Sequence, residues 1–355
     1  MPIRAEPNDP WVGVHMLTEF IFCPRAGLLL YDQRTEDEGD EQEGEEEAKP
    51  RLDYTPLLYY ELHALERELR LLTERLASNW KWVGIPLVLF GLTIVGVIGS
   101  GHVFAYLLAI FFGLFFLRRV GRLAALYWRI SRLTRQYTAA TNATAKEPDP
   151  RNFENQPIEW WQLIKAGFES TPLKERLRST HMHVAGRPWR VLRRGSVWIP
   201  VFRKRDDKRR ELRGQHYARM AAYCKLLEES MGCESPYGIV LFRDVYAGIA
   251  VAHRSRGSES ALCRGLEGAR EVIRAADRGQ DPAKPRQGNP CSGCYHGKPF
   301  VHRPGETEHA RNGKPLPVFA QRGDDSRPYH SACGDRFHWT PPHTKARAKG
   351  LINGS

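Results

Sequence analysis

The sequence predicts an α/β (α+β) chain, a small mixed sheet with helices around it, interrupted by an apolar helical hairpin and closed by a cysteine-bound metal centre. Three observations lead there. Short β-branched and aromatic runs punctuated by turns occupy residues 181–203 and 238–252, while residues 208–231 and 257–277 carry helical periodicity. Residues 82–117 form 36 consecutive positions without Asp, Glu, Lys or Arg. Beyond residue 279 the chain is rich in Pro, Gly, His and Cys with little periodicity, so a fold there needs a staple.

In order, residues 1–34 begin the core with two short helices separated at Cys23-Pro24, since proline ends one helix and opens the next. Residues 35–53 are an acidic loop with nine acids between positions 36 and 47 and almost no apolar side chain. Residues 54–80 are helical and lead into a hairpin at 81–118, with spans at 82–99 and 103–117 around a Gly-Ser-Gly-His turn. Residues 119–137 continue as a basic amphipathic helix and 138–157 have linker composition. Residues 158–278 are the second part of the core: a helix over 159–170, two strands about Arg194-Gly195-Ser196, a helix over 208–231 ending at Gly232, two strands, and a helix over 257–277. Residues 279–355 are the Cys/His-rich tail.

The bilayer's hydrocarbon core is about 30 Å thick and a helix rises about 1.5 Å per residue, so each arm of the apolar stretch is near the length of one span. Six arginines and no acid follow it between positions 118 and 137, which by the positive-inside rule marks a cytoplasmic flank. The expectation is an inner-membrane protein with two spans and both termini cytoplasmic. In that compartment seven cysteines read as thiols or metal ligands rather than disulfides.

The totals, 53 Lys and Arg against 41 Asp and Glu, conceal the charge distribution. They exclude a collagen-like, wholly disordered or disulfide-dense secreted chain, but not a membrane protein. Twelve basic residues against three acids fall between positions 187 and 219. Arg187, Arg190, Arg193, Arg194, Arg203, Lys204, Arg205 and Arg219 are the candidate contacts to the phosphates of a nucleic acid, DNA first, or to an acidic protein partner. Trp189, Trp198 and Tyr217 are candidates to stack on bases.

Cys291-Ser-Gly-Cys294 has the spacing that turns two thiolates toward one metal. Cys333 and Cys23 are candidate partners, with His296, His302, His330 and His338 as alternatives. Cys224, Cys233 and Cys263 fall in or beside helices and read as small buried hydrophobes.

Glu19-Phe20-Ile21-Phe22-Cys23-Pro24-Arg25, the central strand pair, the Ala222-Tyr223-Cys224-Lys225-Leu226-Leu227-Glu228 helix and the cysteine knuckle together resemble the CRISPR-associated RecB-like (Cas-four type) exonucleases of the PD-(D/E)XK superfamily. The resemblance covers residues 15–30 and about 180–300. It implies a nuclease-type core, a [4Fe-4S] cluster on Cys23, Cys291, Cys294 and Cys333, and a role in prokaryotic defence or DNA processing. The last cysteine departs from the pattern, because 38 residues separate it from Cys294, so Zn²⁺ remains an alternative to iron–sulfur. It also implies where nuclease residues stand, and there the chain is degenerate. Trp189 and Phe202 hold the two carboxylate positions, Lys204 keeps the lysine, Arg219 takes the glutamine position and Tyr223 is retained. Two aromatic rings cannot ligate Mg²⁺ or Mn²⁺, which need hard oxygens. The implied protein is catalytically inactive; an active nuclease would need Mg²⁺ or Mn²⁺ on a displaced set drawn from Asp206, Asp207 and Glu211. A third reading is a zinc-binding membrane adaptor with no nucleic-acid role.

Overall fold

The structure, a computed structural model, describes residues 4–33, 60–81, 84–100, 103–204, 211–242, 246–283, 294, 296, 307–309, 315–317 and 332–337. The elements in chain order are β1 (Val12–Gly13), α1 (Val14–Phe22), α2 (Pro24–Asp32), α3 (Leu62–Lys81), α4 (Gly84–Ser100), α5 (Val103–Asn142), β2 (Gln156–Glu159), α6 (Trp160–Lys165), β3 (Glu169–Thr171), β4 (Leu177–Ser179), β5 (Val184–Gly186), β6 (Arg190–Arg194), β7 (Val197–Lys204), α7 (Gly214–Met231), β8 (Tyr237–Phe242), β9 (Ala247–Ala252), α8 (Arg256–Asp277), a β10–β11 ribbon (Thr307–His309, Pro315–Pro317) and α9 (Ala332–Phe337). They fall into two compact units. One comprises Met1–Tyr54, Pro148–Glu159 and Gly167–Ser355, the other Thr55–Glu147 and Trp160–Ala166.

The first unit is α/β. Its main sheet has the order β2-β9-β8-β7-β6-β3, with β7 and β8 parallel and the other neighbours antiparallel. Parallel neighbours need a crossover, and α7 supplies it. A second mixed sheet, β1-β5-β4, carries a parallel and an antiparallel pair. Helix α7 is buried on nearly all sides, from Ala218 to Leu227, because α1, α8 and the strands enclose it. Its run of small residues, Ala218, Ala221 and Ala222, permits that close approach. Helix α8 is amphipathic in the ordinary way: Leu262, Leu266, Ala269 and Ile273 recur at helical spacing on the buried side. The Ser255 hydroxyl caps it by accepting the Ser258 N–H at 3.2 Å. Gly265 is required at its contact with α1, since a Cβ there would lie 2.6 Å from Ile21 Cδ1. The N-terminal segment is held to α8 by Asp9, whose buried carboxylate meets Arg270 at 3.4 Å and also Arg274.

The second unit is helical. Arg129 on α5 pairs with Glu68 on α3 at 2.7 Å, and the buried Trp160 indole donates to the Tyr60 carbonyl at 2.9 Å. Helices α4 and α5 form the expected hairpin, and α5 continues without a break through the basic segment. Among the described residues, however, no helix is long and apolar enough to cross a membrane. Helix α4 has 17 residues, and the apolar part of α5 gives way to Arg118 and Arg119. The hairpin still exposes large apolar side chains: Ile98 is 81% exposed, Leu117 64%, Phe111 and Leu114 63%.

Several sequence expectations need correction. The helix expected over 159–170 is confined to Trp160–Lys165, between the strands β2 and β3. The helix expected from residue 208 starts at Gly214, and the linker expected from 138 begins after α5 ends at Asn142. The pair about Arg194-Gly195-Ser196 is present as β6–β7, with Gly195 at φ +59, a left-handed conformation suited to glycine. The acidic loop expected at 35–53 lies outside the described residues.

Candidate functional site

Three of the nuclease-like positions, Phe202, Lys204 and Arg219, come together between α1, the end of β7 and the start of α7, whereas Trp189 lies against Arg203 on the other face of β7. Side chains alternate along a strand, so Trp198, Pro200, Phe202 and Lys204 share one face of β7, and Arg193 on β6, paired with Trp198, joins them. Arg190, Arg194 and Arg203 take the opposite face. On α7, His216 and Arg219 are three residues apart and so lie on one side of the helix.

The two sets meet at Phe202. The Arg219 guanidinium lies over its ring, 4.0 Å from the centroid, and the His216 ring is 6.3 Å from it. A guanidinium over an aromatic face is an attractive pair. Arg219 also donates to the Thr18 hydroxyl of α1 at 2.7 Å, and that hydroxyl donates to the His15 carbonyl at 2.6 Å. Lys204 Nζ reaches the Glu211 backbone carbonyl at 3.4 Å. Lys204, His216 and Arg219 are all 9% exposed or less. Tyr223, fully buried, donates its hydroxyl to the Arg187 carbonyl at 3.2 Å, and Gly186 lies against it; a Cβ there would sit 2.6 Å from Val14 and 2.9 Å from Tyr223.

The electrostatics follow from burial. His216 is pushed down to about 4, first by desolvation and then by the charges of Lys204, Arg219 and Arg213. Its Nδ1 accepts the Arg213 backbone N–H at 2.9 Å. Glu19 on α1 is raised by burial, with Arg219 and His15 acting in the opposite direction. The centre therefore gathers one carboxylate among several cationic or donor groups. Of the residues for a displaced catalytic set, Glu211 is exposed, and Asp206 and Asp207 lie outside the described residues.

The basic residues do not form one face. Arg193 and Arg194 are exposed, Arg187, Arg190 and Arg203 are half-buried, and Lys204 and Arg219 are buried; Arg205 lies outside the described residues. The expected base-stacking aromatics are already engaged by side chains of the same chain. Trp189 is faced by Arg190 and Arg203 at 5.4 and 5.5 Å, and Trp198 by Arg193 at 4.1 Å. The Tyr217 hydroxyl accepts from Asn155 at 2.6 Å. A further pair, Arg194 over Phe168 at 4.4 Å, lies on the face opposite the Arg193–Trp198 stack.

The thiols lie at the other end of α1. Cys23 closes that helix and opens α2, and it packs in one small buried cluster with Phe22, Ala26 and Cys294. Cys333 is buried at the start of α9, which packs on α2, and its N–H donates to the His296 carbonyl at 2.9 Å. Burial lowers the His296 pKa. Cys291, His302, His330 and His338 lie outside the described residues. Cys23 and Cys294 thus share one cluster, and Cys333 stands on a neighbouring element. Among the described residues no three Cys, His, Asp or Glu side chains sit close enough together to hold a metal ion. Cys224 is fully buried in α7, where desolvation pushes its thiol pKa up, and Cys233 and Cys263 are half-buried.

Thr18 and His216 are site residues that the sequence reading did not name, and Glu19 entered it only as the first residue of a motif, with no role of its own. The signal for Glu19 is a carboxylate on a mostly apolar helix, three places before the aromatic-Cys-Pro-Arg run. No family model matches the chain, and a comparison with curated proteins finds no match.

Proposed function

We propose that the chain is a membrane-anchored, catalytically inactive protein of RecB-like nuclease fold that binds nucleic acid through the β6–β7 hairpin. One observation carries this reading: the residues about Lys204 are aromatic and cationic, Phe202, Arg219 and His216, where hydrolysis would need carboxylates on a divalent ion. A fold that keeps the lysine and sets a second cation, Arg219, near the same histidine is suited to holding a phosphate backbone rather than to cutting it. Arg193 and Arg194 present charge at the surface of the same hairpin.

The anchor is the α4–α5 hairpin, seated in the bilayer. Its exposed Ile98, Phe111, Leu114 and Leu117 favour an apolar solvent. Short spans are accommodated by local thinning and by Arg118, Arg119 and Arg122 extending to the headgroups. Both termini then face the cytoplasm. Cys23, Cys291, Cys294 and Cys333 hold a [4Fe-4S] cluster, or Zn²⁺ with His296 in the set, which would tie the C-terminal segment to the α1–α2 junction. A place in prokaryotic defence or DNA processing, with a protein partner, rests on analogy of fold alone.

The test is duplex DNA binding by the full chain in detergent micelles across a range of salt. The dissociation constant should rise steeply with salt. Changing Arg190, Arg193, Arg194 and Arg203 to Gln should flatten the dependence, by about 0.9 in log–log slope for each phosphate contact removed. Absence of binding, or binding indifferent to salt and to these changes, would overturn the reading in favour of a protein adaptor.

A further inference from the structure

Helix α5 carries its arginines in two settings. Arg129 is neutralised within the helical unit by Glu68 of α3, at 2.7 Å. Closer to the apolar arm, Arg118 and Arg122 are exposed and Arg119 is half-buried, and none of the three meets a carboxylate among the described residues. Their own helix supplies none, since α5 holds no Asp or Glu along its whole length. Three or four residues apart, they sit on one side of α5 and form a single uncompensated cluster. Helical side chains lean toward the helix N-terminus, and in α5 that end is the apolar one. Arg119 shows the lean: its guanidinium lies over the Phe115 ring, 5.1 Å from the centroid, one turn back along the apolar arm.

Neighbouring helices of the same unit fix the level of this cluster. On the apolar side, Phe90 of α4 stacks on Phe116 with ring centroids 6.4 Å apart. On the other side, α3 runs antiparallel to α5 and meets it at Glu68 and Arg129. Trp80 lies twelve residues beyond Glu68 and Leu117 twelve before Arg129, so Trp80 stands near the level where the apolar arm gives way to arginine. Its side chain is 70% exposed, and no acid occurs between Arg75 and the end of α3. An exposed indole level with basic side chains is the composition of a membrane–water interface. The arms are also short. The 17 residues of α4 rise about 25 Å and the apolar positions 103–117 of α5 about 22 Å, against a hydrocarbon core about 30 Å thick. A bilayer that thins to fit them brings its headgroup phosphates down to Arg118, Arg119 and Arg122.

We propose that Arg118, Arg119 and Arg122 form a binding surface for acidic phospholipids in the leaflet that the hairpin enters. The inference rests on the reading of α4–α5 as a bilayer anchor and adds which lipid the anchor selects. Each guanidinium donates in a planar fork to phosphate oxygens. Every phospholipid carries a phosphate, but in a choline lipid the ammonium of the same headgroup offsets it, whereas an acidic lipid keeps its net negative charge. Three cations without an internal counter-charge therefore discriminate between the two. A polynucleotide offers phosphate as well, but the position of the cluster between the apolar arm and Trp80 favours the lipid surface.

The test reconstitutes the full chain into phosphatidylcholine vesicles and compares spin-labelled phosphatidylglycerol with spin-labelled phosphatidylcholine for the fraction immobilised at the protein, read by electron paramagnetic resonance. Phosphatidylglycerol should be preferred about fivefold at low salt, the effect of about one basic residue at the surface, and the preference should shrink as salt is raised. Arg118→Gln combined with Arg122→Gln should remove most of it; both side chains are exposed, so the double variant keeps the fold. Arg132→Gln combined with Arg135→Gln, farther along α5 from the apolar arm, should leave it unchanged. Equal immobilisation of the two lipids by the parent, or a preference that survives the Arg118 and Arg122 changes, would overturn the lipid surface and leave the anchor standing. Immobilisation of neither lipid would overturn the anchor itself. Duplex DNA affinity lost in the Arg118 and Arg122 variant, with the lipid preference intact, would assign these arginines to nucleic acid and overturn the proposal.

Discussion

Helix α1 borders two regions that differ in kind. Along its side, Thr18 and Glu19 face the cluster of Lys204, His216 and Arg219 around Phe202. At its end, Cys23 packs with Cys294 among apolar side chains. The first offers cations, N–H donors and an aromatic ring; the second offers soft sulfur. A metal ion suited to the thiols is a poor match for the cationic centre, and Mg²⁺ or Mn²⁺ is suited to neither. The contrast teaches that soft sulfur and cationic nitrogen are kept apart in this fold, with one nine-residue helix running between them.

The sharpest way to break the comparison is to remove the sulfur. Cys23→Ser combined with Cys294→Ser should drop iron and zinc in anaerobically purified protein to background, while oligonucleotide affinity at fixed salt stays unchanged. Metal retained by the double variant would place it elsewhere and dissolve the distinction.

A smaller effect is expected at the cationic centre and concerns acid. The ordinary pKa of histidine, 6.5, applies to the unfolded chain, and His216 in the fold lies at about 4. Between those values the unfolded chain binds more protons, so stability is full above about pH 6.5 and is lost as pH falls toward 4. At about 1.36 kcal/mol per unit the whole loss is about 3 kcal/mol. Glu19, raised by burial, acts in the opposite sense and loses its contribution as pH rises through its own value. His216→Asn should therefore flatten the acid limb in denaturant unfolding at pH 5 and 7; an unchanged slope would show that His216 is not the group responsible.

Much of this arrangement could be read before the fold was known, for reasons that are local. Cys23-Pro24 separates α1 from α2 because proline at a first helical position needs no N–H. Gly195 and Gly232 mark a turn and a helix end because each takes a positive φ. Lys204 and Arg219 were reached through the family resemblance and as members of the basic stretch at 187–219. Strands β2 and β3 were hidden, since they are three or four residues long and flank the aromatic Trp160–Trp161 stretch, which reads as one helix. His216 was hidden because its role comes from neighbours: it sits in the first turn of α7 against Phe202, which lies on a strand before the turn. Thr18 is 201 residues from Arg219 in sequence, and no periodicity announces such a contact. The division of the basic residues was equally invisible, because charge counting does not say that Arg193 is exposed and Arg219 buried.

The central claim is that this fold holds nucleic acid without cutting it. Labelled single-stranded and duplex DNA incubated with the full chain and Mn²⁺, with binding and strand length read from the same samples, tests it most directly. The account predicts bound, full-length DNA in every sample. Cleavage that Asp206→Ala or Glu211→Ala abolishes would contradict it and would restore a catalytic metal to the β7–α7 turn.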